Sequence, residues 1–139
     1  MKKVAVMLVG SIGAILLGLP YIFHAFGPTE AEVTSWGEVS LYTGIVLTLL
    51  ALAIGRTTKK LFRGILALGY LFLALLQVLP IFLWFTFHGT GISDGTPPSP
   101  FVAHWVYAMP HLAILVISLV AIVTALKNSD AELSYRPTP

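Results

Sequence analysis

Four histidines, His24, His88, His104 and His111, carry the broadest chemistry in this chain. A neutral imidazole ligates haem iron, zinc or copper, relays protons, or hydrogen-bonds a quinone carbonyl. Spacing narrows these choices. His104 and His111 stand two helical turns apart, about 10 Å along a helix, which is too far for both to hold one ion. Met109 and His111 are neighbours but point in different directions on a helix, so they do not make a copper pair. A haem held by two histidines needs them on separate helices at matched depth, and His24 with His104 comes nearest to that. The chain has no cysteine, which removes thiolate ligands, disulfides and redox pairs. No metal site is assigned on these grounds.

The elements that must position the histidines follow from composition. Of 139 residues, 57% are hydrophobic and 10% charged, against roughly 25% charged in soluble domains. So apolar a chain needs the lipid bilayer as its solvent. The net charge of +2 offers no dense basic surface, and no nucleic-acid partner is expected. Four stretches lack Asp, Glu, Lys and Arg: residues 4–26, 39–55, 64–87 and 101–126. Each is long enough to cross a hydrocarbon core of ~30 Å as a helix. The fold class expected is therefore all-α. It is an integral membrane four-helix bundle of two helical hairpins running up-down-up-down, with short loops and a single domain over 1–139.

Orientation follows from the cations. Lys2 and Lys3 precede the first span, Arg56, Lys59, Lys60 and Arg63 separate the second from the third, and Lys127 and Arg136 follow the fourth. The two remaining connections, 27–38 and 88–100, carry only Glu30, Glu32, Glu38 and Asp94. The positive-inside rule then places both termini in the cytoplasm, in a plasma (inner) membrane. Trp36, Trp84 and Trp105 fall at the opposite end, where an interfacial aromatic belt is expected. The first apolar stretch exceeds the 7 to 15 residues of a signal-peptide core and is read as a retained span.

Depth separates the histidines. Counting ~1.5 Å per residue from the basic edge of each span, His24 lies ~31 Å, His88 ~37 Å and His104 ~34 Å away, whereas His111 lies ~24 Å away, inside the hydrocarbon. Tyr42 and Gln77 come at ~21 Å by the same count. Tyr42, Gln77 and His111 are thus expected to form one polar layer, either interhelical hydrogen bonding or a seat for a quinone head.

In lipid the small and polar residues mark the inward faces. These are Gly10, Ala14, Tyr21 and His24 in the first span, and Gly44, Thr48, Ala51 and Gly55 in the second. The third supplies Ala67, Tyr70, Ala74, Gln77, Trp84 and His88, and the fourth His104, Ala108, His111, Ser118 and Ala125. Leu47 falls outside these stripes. Pro20, Pro80 and Pro110 each remove a backbone donor from a span, so kinks or released carbonyls are expected there.

No span contains a carboxylate, which argues against a proton-coupled exporter. No nucleotide loop, nucleophile elbow or zinc-protease motif is present. The leading expectation is a non-catalytic accessory or assembly subunit that packs against other membrane subunits. The second is a redox-associated protein binding quinone or haem through the histidines. The third is a small channel or transporter formed by self-association.

Overall fold

The structure, a computed structural model, describes residues 2–23, 31–54, 60–87 and 105–133. Among the described residues it contains four helices and no strand: α1 (Lys2–Ile22), α2 (Ala31–Ile54), α3 (Lys60–Phe87) and α4 (Trp105–Leu133). Helix is the local answer because a chain in hydrocarbon must satisfy its backbone donors and acceptors within itself. All four are long and apolar enough to cross a membrane, over Val4–Ile22, Thr34–Ile54, Lys60–Leu83 and Ala108–Lys127. The chain is a small polytopic membrane protein built as a four-helix bundle.

The helices outrun the apolar stretches at four ends, α1 by the two residues Lys2 and Lys3. α2 begins well before residue 39 and takes in Glu38, which is exposed near one end of the segment. The expectation of spans wholly without carboxylates is corrected on this point. A helix is not obliged to stop at its first charge, because a side chain near the end of a span reaches the polar boundary. For the same reason α3 starts at Lys60, and α4 runs past Leu126 through Lys127 and Asp130 to Leu133.

Packing is closest within the sequential pairs α1–α2 and α3–α4, which are the two expected hairpins. Smaller contacts of α1 with α4 and of α2 with α3 close the ring. The α1–α2 seam is made of small residues. A Cβ on Gly44 would stand 2.6 Å from the Ser11 carbonyl oxygen, and one on Gly18 would stand 2.6 Å from that of Gly37. Only glycine lets these two backbones approach so closely. Two hydroxyls bind across the same seam. Ser40 Oγ donates to the Ala14 carbonyl at 3.0 Å, and Thr48 Oγ1 lies 3.0 Å from Ser11 Oγ.

The inward stripes hold wherever side chains are described. Gly10, Ala14, Tyr21, Gly44, Ala51, Ala67, Tyr70, Ala74, Gln77, Ala108, His111, Ser118 and Ala125 are buried, and Thr48 is half-buried. His24, Gly55, His88 and His104 lie outside the described residues, as does the side chain of Trp84. Leu47 departs from expectation: it is buried, its side chain filling the space over Gly69, where an added Cβ would meet Leu47 Cδ2 at 2.5 Å.

Candidate functional site

The site is a buried polar layer centred on His111 of α4. His111 and Gln77 are fully buried and Tyr21 nearly so. His111 Nδ1 lies 2.9 Å from Gln77 Oε1 on α3, and His111 Nε2 lies 2.8 Å from the Tyr21 hydroxyl on α1. The amide oxygen can only accept, so Nδ1 carries the ring proton in the neutral imidazole and Nε2 accepts from the Tyr21 O–H. The Gln77 amide nitrogen in turn donates to the Leu73 carbonyl at 3.3 Å. Donors and acceptors alternate from Tyr21 to Leu73, and no net charge is needed inside the span.

A second device adds α2. The Trp36 indole N–H donates to the Leu76 carbonyl of α3 at 3.1 Å. That carbonyl is available because residue 80, which would bond back to it in an uninterrupted helix, is Pro80. Edge-on contacts then join the rings, with centroids 4.7 Å apart for Tyr21 and Trp36 and 5.2 Å apart for Trp36 and His111. One layer thus ties all four helices, and it ties the two hairpins to each other.

The layer differs from expectation in its tyrosine. Gln77 and His111 meet as their depths suggested, but Tyr42 is 61% exposed on α2 and takes no part. Depth alone misled here: Tyr42 precedes the inward Gly44 by two residues, about 200° around the helix. Tyr21 takes the place. It stands on the inward stripe of the first span at ~27 Å by the same count, so depth and face together would have found it. Trp36, expected in an interfacial belt, is instead half-buried against Tyr21 and His111.

A separate set of bonds lies toward the basic end. Tyr70 donates to the Met7 carbonyl at 2.5 Å, linking α3 to α1 across the bundle. Ser118 is fully buried, and its hydroxyl meets no hydrogen-bonding side chain or carbonyl among the described residues.

No family model, curated protein or solved structure matches the chain. Its chemistry is therefore read from the geometry alone. Among the described residues no group of three His, Cys, Asp or Glu side chains is placed to hold a metal ion. For His111 to ligate iron or donate to a quinone carbonyl, Tyr21 or Gln77 would first have to let go. As it stands, the layer is a closed hydrogen-bond chain between helices.

Proposed function

We propose that this protein is a non-catalytic accessory or assembly subunit of a larger membrane complex, set in a plasma (inner) membrane with both termini cytoplasmic. The observation that carries the reading is the closure of the His111 layer: both ring nitrogens are engaged within the bundle. The interior polar groups of the layer, with Ser40 and Tyr70, bond from helix to helix, which is the ordinary use of polar side chains in a bilayer. Among the described residues the outward faces of the spans carry many large apolar side chains, including Leu49 on α2 and Val116 and Val123 on α4, each more than half exposed. Such faces suit packing against lipid and against other spans alike.

A photo-reactive residue at Val116, introduced into the tagged full chain in its native membrane, tests the proposal. A discrete adduct with one larger membrane subunit is the expected result. Adducts only with lipid or with a second copy would contradict it. So would a haem band, or a quinone retained in one-to-one ratio after purification. The redox alternative draws on His24, His88 and His104, and the last two outcomes would select it.

A further inference from the structure

The outward face of α2 carries a seam that the bundle leaves uncovered. Ser35, Glu38, Tyr42, Ile45, Leu49 and Leu52 are all exposed and follow one another at alternating steps of three and four residues, so they share one side of the helix. That spacing is the one by which spans pack side by side in left-handed pairs. The seam runs ~25 Å along α2, most of the height of a ~30 Å hydrocarbon core. Beside it a groove of about 650 Å³ between α2 and α3 shares Tyr42 with the seam and leaves room for large side chains of a neighbour.

The apolar members of the seam suit lipid and helix alike, so the polar members discriminate. The apolar span of α2 begins at Thr34, which puts Glu38 about 6 Å and Tyr42 about 12 Å inside that edge. Among the described residues the side chains of Ser35, Glu38 and Tyr42 meet no hydrogen-bond or ion-pair partner. A carboxylate and a phenol facing hydrocarbon are costly when bare. Together they call for a cation opposite Glu38 and a hydrogen-bonding group one turn deeper.

Three neighbours compete to supply these. A lipid headgroup brings a cation only to the boundary, and its acyl chain offers Tyr42 nothing. A second copy in the same orientation brings no Lys or Arg, because all eight flank the other ends of the spans. A different spanning helix with Lys or Arg in its terminal turn at this end meets both needs, its long stem lying along apolar surface while the charged head stays near the boundary.

We infer that the outward seam of α2 is the docking site for a partner's spanning helix that carries Lys or Arg opposite Glu38 and a hydrogen-bonding side chain opposite Tyr42. The inference rests on the accessory reading, since it names the face and the chemistry by which that partner is held. Charge complementarity selects the partner, and the heptad spacing aligns the two helices.

A photo-reactive residue at Leu49, in the tagged full chain in its native membrane, tests the seam, while Val116 on α4 reports separately on the accessory reading. The expected adduct joins Leu49 to a spanning segment of a larger subunit, and mass spectrometry of the joined peptide should find Lys or Arg in that segment's terminal turn at the Glu38 end. Glu38→Gln should lower the yield about fivefold and Tyr42→Phe about threefold, both at exposed positions and with helix content unchanged. Glu38→Lys should abolish the adduct, and exchanging the partner's cation for Glu should restore it. An undiminished yield from folded Glu38→Lys would overturn the inference, as would an adduct with a segment lacking a cation or with a second copy. Adducts of Leu49 with lipid alone, while Val116 still labels a larger subunit, would overturn the seam and leave the accessory reading standing. Loss of both adducts would remove the two together.

Discussion

Trp36 donates its indole proton to the one carbonyl on α3 that Pro80 leaves without a backbone donor, that of Leu76. The proline interrupts the ladder of one helix, and the tryptophan of another restores the bond from outside. An unpaired carbonyl in hydrocarbon is costly, so the two residues are coupled although neither is bonded to the other.

Trp36→Phe keeps an aromatic ring in the layer and removes the donor. In wild type it should cost about 1 kcal/mol, the scale of interhelical hydrogen bonds in bilayers. In a Pro80→Ala background the residue-80 N–H reclaims the Leu76 carbonyl, and the cost should fall to near zero. Reversible unfolding in mixed micelles measures the cycle. Equal costs in both backgrounds would show that the two residues are independent.

The α1–α2 seam should tolerate no added atom at Gly44 or Gly18. Gly44→Ala places a methyl 2.6 Å from the Ser11 carbonyl oxygen, so the helices must part and the Ser11–Thr48 and Ser40–Ala14 contacts weaken with them. A loss of roughly 1 to 3 kcal/mol is expected, as for overpacking elsewhere. Gly64→Ala is the control, since nothing lies within 4 Å of its added Cβ, and it should be neutral or slightly stabilising. Equal stability of the two variants in the same micelle assay would contradict the seam.

Much of this architecture was legible in the chain. Four charge-poor stretches and short connections imply two hairpins, and in lipid the small residues point inward because nothing else distinguishes one face from another. Two parts of the site were not. Tyr42 matched Gln77 and His111 in depth, but depth carries no information about azimuth, and its phenol faces outward. Trp36 near a helix end reads as an interfacial anchor. Its inward role depends on a carbonyl released by Pro80 on a helix 40 residues away in sequence. The helix ends were equally hidden, because Glu38, Arg63 and Lys127 end an apolar run without ending a helix.

Both termini should report the same side of the membrane as the connection between α2 and α3, because four crossings return the chain to its starting side. In the orientation proposed above, that side is the cytoplasm. Fusions of a cytoplasm-active reporter after Pro139 and within residues 55–59 should both be active, and a fusion within residues 88–100 inactive. Activity of the last alone would reverse the orientation, and disagreement between the first two would break the span count.

The central claim is that His111 is a closed link between hairpins, its Nδ1 proton given to Gln77 and its Nε2 accepting from Tyr21. Nitrogen-15 NMR of the histidine-labelled full chain, with the His111 signal assigned by its loss in His111→Leu, reads both ring nitrogens directly. The predicted result is a neutral ring protonated on Nδ1, with Tyr21→Phe shifting the Nε2 resonance and Gln77→Leu shifting that of Nδ1. A ring protonated on Nε2, or resonances that move with neither variant, would contradict it.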